Sequence, residues 1–309
     1  MENYIVAIGA ANIDIYGKTY QKIRSAYDHP SEIYTSAGGV SRNILENTSR
    51  LGIESILLTA IGDDYFGEEL LKQSNKAGIN TKHILKVKNG KTAIFMQVQN
   101  SNNDMHLAIC DFNINKNIDI KYLTKKDKII RNAKSLIIDP SLEKDILDYL
   151  FTKYADKKIF VDPISDNLSK KLKPYLNNIY CLKPNLSELS VLTNTKIKND
   201  DDLYKASHKL INKGVKHLFV SLSKDGILYV DKDICKKVKF KETKNIQNAS
   251  GAGDACMAAI VYSDFNNLNI NDTIDMALAS GIAAISSKDV INKKMSKSLL
   301  KRIIKENKE

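Results

Sequence analysis

The sequence predicts an α/β protein in which a doubly wound, mostly parallel sheet is flanked by helices and carries a small antiparallel β lid. Three observations carry that expectation. Short runs rich in β-branched residues and leucine recur along the chain and are apolar at nearly every position, as strands covered on both faces must be. Helical stretches alternate with these runs at the spacing of βα units. Two segments break the rhythm and show no helical period.

The runs expected as buried strands are "YIVAIG" (4–9), "SILLTAIG" (55–62), "SLIID" (135–139), "IFVDP" (159–163), "IYCLKP" (179–184) and "HLFVSLS" (217–223). Between them, Ser41 to Leu51, Gly67 to Ala77, Glu143 to Tyr154 and Asp201 to Lys213 carry helical patterns. The two exceptions are residues 14–36 and "KTAIFMQVQNSNNDMHLAICDF" (91–112), which alternates about a polar turn and reads as a hairpin. Joined together, about 14–36 and 91–114 form the lid, over the C-terminal ends of the strands, where open α/β sheets bind ligands. With no low-complexity linker and no repeat, residues 1–309 are expected to be one domain with the lid inside it.

Lys and Arg number 47 against 36 Asp and Glu, a net charge of +11. The basic residues are spread along the chain, and neither an RNA-binding aromatic motif nor zinc-finger spacing accompanies them, so nucleic acid is not expected as the principal ligand. Cys110, Cys181, Cys235 and Cys256 show no paired spacing, which argues against structural zinc or a disulfide framework and fits the cytoplasm. No apolar run approaches the ~18 residues of a membrane span, and no membrane partner is expected.

The chemistry concentrates in "ASGAGDACMA" (249–258). Gly251, Ala252 and Gly253 leave consecutive amides with little side-chain bulk at a helix entry, where amides and the helix dipole attract anions. Asp254 adds a carboxylate able to accept a proton. Two readings stand: a helix entry capped by Ser250 or Asp254, or an anion site with a base beside it.

This stretch resembles the signature of the ribokinase-like (PfkB-type) family of sugar and nucleoside kinases. Three further segments, in family order, extend the resemblance over essentially the whole chain: "TSAGGVSRNILENTSRLG" (35–52), "LKPNLSEL" (182–189) and "VSLSKDGILYV" (220–230). The resemblance implies Asp254 as catalytic base and Gly251, Ala252 and Gly253 as its anion hole. It implies ATP as donor, with Lys183, Asn185, Ser221, Ser223, Lys224, Gly226, Ser250, Gly251 and Gly253 at the nucleotide, and Mg2+ organised through water by Asn185 and Glu188. Asn185 and Glu188 also have the spacing of a capping box, and both roles can hold at once. On the acceptor side it implies Asn12, Asp14, Gly38, Gly39, Arg42, Asn43, Asp111 and Asn113. Asp14 is expected to close the first strand and hold ribose hydroxyls, with a turn residue as the alternative; Arg42 reads equally as a supporting ion-pair residue.

Two departures stand out. Ser223 replaces a glycine common in the family, and Asn248-Ala249 lacks the carboxylate that accompanies a potassium site, so activation by a monovalent cation is not assumed. "IGAANIDIYG", "AGGVSRNI" and "DFNI" are most similar to the family's pseudouridine kinases, which implies phosphorylation of the 5′-hydroxyl of pseudouridine. Ribokinase, adenosine kinase and sugar-phosphate kinase remain as alternatives; an acceptor already bearing phosphate would call on Lys18, Lys22, Arg24 or Lys91. A non-catalytic nucleoside-binding protein would lack Asp254 or the glycine turn. A dinucleotide oxidoreductase would need G-x-G-x-x-G after the first strand, which "AIGAANID" does not supply. Exposed lid edges favour a homodimer through the lid strands.

Overall fold

The computed structural model describes residues 3–100, 105–241, 246–248 and 250–308. Its strands are β1 (Tyr4–Ile8), β2 (Asn12–Thr19), β3 (Ser31–Gly38), β4 (Glu54–Leu58), β5 (Ala60–Gly62), β6 (Ile79–Asn80), β7 (Leu85–Val87), β8 (Ile94–Gln99), β9 (Met105–Asp111), β10 (Ser135–Ile138), β11 (Ile159–Val161), β12 (Cys181–Leu182), β13 (His217–Ser221), β14 (Ile227–Val230) and β15 (Cys235–Val238). The helices are α1 (Val40–Arg50), α2 (Tyr65–Lys76), α3 (Ile120–Lys125), α4 (Asp127–Asn132), α5 (Lys144–Lys153), α6 (Asp166–Leu172), α7 (Leu186–Thr193), α8 (Asp200–Asn212), α9 (Ala252–Phe265), α10 (Ile270–Ile285) and α11 (Lys297–Lys308).

The main sheet has nine strands in the order β15-β14-β13-β12-β11-β10-β1-β4-β6. Pairing is parallel from β6 to β13 and antiparallel for β14 and β15. Both faces are buried, which explains why these strands read as continuous apolar runs. Val6, Ile8, Leu136, Ile138 and Val220 enter one core, while Ile5, Ala7, Ile137, Phe160 and Phe219 enter the other.

All six expected runs overshoot their strands, four of them by one or two residues at the C-terminal end, and two depart further. Residues 55–62 divide into β4 and β5, because β5 leaves the main sheet to pair with β7. Only Cys181 and Leu182 of 179–184 are strand; Pro184 has no N–H to offer a ladder.

The two irregular segments form a separate small sheet in the order β3-β2-β8-β9. The hairpin partners β2/β3 and β8/β9 are antiparallel, and β2 joins β8 in parallel. The 101–104 part of the expected hairpin turn lies outside the described residues. Asp14 sits inside β2 rather than at the end of the first strand or in a turn, because β1 stops at Ile8 and the chain re-enters extended structure at Asn12. Among the described residues, no helix is long and apolar enough to cross a membrane.

Candidate active site

The glycine turn before α9 is shaped by backbone demands. Gly251 adopts φ 77 and serves as the N-cap, with no side chain capping the helix. That corrects both cap readings: Ser250 precedes the cap, where its amide donates to Asn248 Oδ1 at 2.9 Å, and Asp254 lies within the first turn. A Cβ on Gly251 would collide with the carbonyl oxygen of Val290, so glycine is required twice over, by conformation and by space. The first amides of a helix have no intrahelical acceptor, and the helix dipole adds partial positive charge there. Ala249 lies outside the described residues.

Asp254 is half-buried at this helix mouth, and Asn43 Nδ2 donates to its Oδ2 at 3.0 Å. Its carboxyl is pushed up to about 7, chiefly by burial and then by Asp162, against the opposing pull of Asn43 and Lys183. A carboxyl poised there exchanges a proton readily at neutral pH. Lys183 and Asp162 form a buried ion pair at 2.9 Å, and a Cβ on Gly253 would lie 3.5 Å from the Lys183 ammonium. Burial alone would lower the Lys183 ammonium, but Asp162 outweighs it and holds the group charged. Lys183 therefore sits beneath the α9 turn and outside the acceptor cavity.

That cavity, about 710 Å3, opens between the small sheet and the C-terminal ends of β1, β10 and β11. Asn12, Asp14, Gly39, Asn43, Asp111 and Asn113 line it. Asp14 is 8% exposed; its Oδ1 accepts from Asn12 Nδ2 at 2.6 Å and its Oδ2 from the Tyr16 hydroxyl at 3.2 Å. Burial raises its carboxyl, and the Asn12 and Tyr16 hydrogen bonds partly offset that. Period-two alternation along β2 places Asn12, Asp14 and Tyr16 on one face. A side chain at Gly38 would collide with the Asp14 carboxylate, and one at Gly39, with φ 95, would come within 2.6 Å of the Ala10 carbonyl oxygen. Asn113 donates its amide nitrogen Nδ2 to Asp111 Oδ1 at 2.8 Å, so these exposed residues hold each other at the rim.

Of its two readings, Arg42 takes the supporting ion pair. It is 2% exposed, does not line the cavity, and pairs with Glu46 Oε2 at 2.5 Å. The α1 helix turns Asn43 towards the site and carries Arg42 behind it.

On the nucleotide side, Asn185 and Glu188 form the full capping box of α7, with reciprocal bonds of 2.9 Å. Asn185 is exposed, whereas Glu188 is buried and its carboxyl raised by that burial. Asn185 bridges in parallel to Ser221, bringing these segments side by side. Ser223 has φ 54, which explains the family's preference for glycine there. Lys224 is exposed, and Gly226 has φ 89 with no room for a Cβ against Val238. Among the described residues, no group of three or more His, Cys, Asp or Glu side chains could hold a metal. An exposed amide next to a buried carboxylate suits an ion that keeps much of its water shell, as magnesium does.

Sequence reasoning missed several residues. Asp139, at the end of β10, is 3% exposed, lines the cavity, and accepts from the Ala10 amide at 3.1 Å and the Ser141 amide at 2.8 Å. Asp162 stands at the equivalent end of β11. In both cases a carboxylate directly follows an apolar run ("SLIID", "IFVDP"), and that was the available signal. Tyr16, Phe95 and Val290 also line the cavity.

Residues 2–297 match the model of the pfkB family carbohydrate kinases. The pseudouridine kinase of Escherichia coli (strain K12) is 30% identical over 295 residues, covering 96% of this chain and 94% of that protein. An uncharacterized sugar kinase of the same organism, YeiI, is likewise 30% identical over 295 residues, covering 96% and 82%. The structure of Arabidopsis thaliana ribokinase complexed with ribose and ATP superimposes with a TM-score of 0.86 at 20% identity, covering 99% of each chain. The chain belongs to the pfkB family of carbohydrate kinases, phosphotransferases with an alcohol group as acceptor, and has the ribokinase-like fold.

Proposed function

We propose that this protein transfers the γ-phosphoryl group of ATP to the 5′-hydroxyl of a ribonucleoside, with pseudouridine as the acceptor. The observation that carries the reading is Asp254, held by Asn43 at an uncapped helix mouth beside the cavity with its carboxyl near 7. Similarity to a pseudouridine kinase over 96% of the chain supports the acceptor.

In this reading the ribose enters beneath the small sheet, which acts as a lid, and its hydroxyls meet Asp14 and Asn43. Closure excludes water that would otherwise hydrolyse ATP. Asp254 takes the 5′-hydroxyl proton as the oxygen attacks the γ-phosphorus in line. The bond from that phosphorus to the β-bridging oxygen breaks, and ADP leaves with the bonding pair. The α9 amides stabilise charge on the transferring oxygens. Mg2+, bound with ATP, would neutralise phosphate charge, and Asn185 and Glu188 would hold its water shell. For an acceptor already bearing phosphate, Lys18, Lys22, Arg24 and Lys91 do not line the cavity, and Lys116 is the lysine that does.

Turnover of pseudouridine, uridine, adenosine, ribose and fructose 6-phosphate with Mg·ATP tests this directly. The highest kcat/KM is expected for pseudouridine; preference for free ribose or for the sugar phosphate would overturn the acceptor assignment. No turnover of any of them would count against the kinase reading itself.

We also propose a homodimer through the lid. Its outer face carries Ile33, Met96, Leu107 and Ile109, at 71%, 37%, 53% and 57% exposure, and β3 and β9 are its edges. Ile109→Lys with Leu107→Lys is expected to yield monomers in sedimentation; a wild-type protein that is monomeric at micromolar concentration excludes the dimer.

A further inference from the structure

We infer that Arg42 is a positioning residue for the phosphoryl-transfer base: it orients the Asn43 amide so that its nitrogen faces Asp254. The inference rests on the assignment of Asp254 as the base. Arg42 touches no part of the cavity, yet its NH1 donates to Asn43 Oδ1 at 3.3 Å, while Asn43 Nδ2 donates to Asp254 Oδ2 at 3.0 Å. A guanidinium offers only donors, and an ionised carboxylate only acceptors. An amide between the two satisfies both in one orientation alone, oxygen to Arg42 and nitrogen to Asp254. Reversed, it would set donor against donor and acceptor against acceptor.

The rest of the Arg42 environment makes it a rigid support. Its NH1 also reaches the Ala37 carbonyl oxygen at 3.5 Å, and its Nε reaches Ser74 Oγ at 3.4 Å. Those bonds tie α1 to the end of β3 and to α2. Glu46 pairs with Arg42, but Arg50 serves the same carboxylate through Nε at 2.9 Å and NH2 at 2.6 Å. Neutralising Glu46 therefore does not require Arg42. What Arg42 adds is a donor fork aimed at the Asn43 amide, and with it a preference for the ionised form of Asp254.

The experiment is a 13C NMR titration of the Asp254 carboxyl, assigned by its loss in Asp254→Asn. It follows wild type, Arg42→Met, Arg42→Lys, Asn43→Ala and the Arg42→Met/Asn43→Ala pair. The other groups acting on Asp254, namely Asp162, Lys183, Asp14 and the Tyr16 hydroxyl, are present in all of them. Asp14 loses the Arg42 charge in Arg42→Met and keeps it in Arg42→Lys, which separates that path. Arg42→Met is expected to raise the Asp254 midpoint by about half a unit, the scale of one lost hydrogen bond to the charged form. Asn43→Ala should raise it at least as much, and the pair should match Asn43→Ala alone. Arg42→Lys keeps the charge but loses the planar fork, so it should also shift the midpoint upward, and it decides the matter if Arg42→Met does not fold.

An unmoved midpoint in Arg42→Met, or in Arg42→Lys where Arg42→Met does not fold, with only Tm lowered, overturns the inference. So does a shift that persists in full on the Asn43→Ala background, which would mean charge acting through space. Failure of the kinase reading shows separately, as Asp254→Asn that turns over its acceptor at the wild-type rate.

Discussion

Asp254, Asp162 and Lys183 are buried or half-buried and already bonded within the protein, whereas Asp111 and Asn113 at the rim of the small sheet are exposed and bonded to each other. The half of the site proposed for phosphoryl transfer is thus already held by bonds within the protein. Preorganised donors and charges of that kind stabilise developing charge without further rearrangement. The acceptor half is mixed: Asn12, Asp14 and Asn43 are buried at its floor, and only the rim, Asp111 and Asn113, is exposed and can be altered without exposing a core. One half is built for a reaction, the other for a choice.

The largest test of that contrast is Asp254→Asn. Loss of a general base typically costs about 10^2–10^4 in rate, and the same change should stabilise the protein above neutral pH. The Asp254 carboxyl rises from 3.8 to about 7, so between those values the folded protein retains a proton that the unfolded chain has released. Stability therefore falls as pH rises through that window, by on the order of 1–3 kcal/mol from this group, and the asparagine variant escapes the loss. A variant less stable than wild type at pH 8 in thermal melts would show that the carboxylate is not strained. In wild type, kcat should fall about tenfold per unit well below pH 7.

Lys183→Met comes next, because it strands Asp162 in the interior. Removing one partner of a buried pair costs about 3–5 kcal/mol. Asp111→Ala at the open rim should leave Tm where it is and act on KM alone. If denaturant melts showed equal effects for the two, the halves would not differ as described. The smallest expected effect is Ser223→Gly, which releases a left-handed serine and should raise stability by roughly 0.5 kcal/mol. A fall in Tm would mean that the serine side chain contributes more than its backbone costs.

Much of the phosphoryl half was legible because its demands fall on residue types. A helix mouth without room for a Cβ needs Gly251, and "PNLSE" spells a capping box before it spells anything else. The strands were legible because burial on two faces leaves no alternation to misread. Asp139 and Asp162 were not singled out, since a lone carboxylate after a strand looks like a turn residue until the parallel order brings β10 and β11 side by side. Arg42 kept two readings for a related reason. Adjacent helical residues diverge by about 100°, so "RN" names a pair of neighbours and not a shared direction.

Val290 joins the two halves: its backbone oxygen closes on Gly251, and the residue also lines the cavity. Any remodelling of that wall is felt by the turn that would hold the phosphates. Substitutions meant to alter the acceptor end of the cavity are therefore better placed at the exposed rim, Asp111 and Asn113, than at Val290.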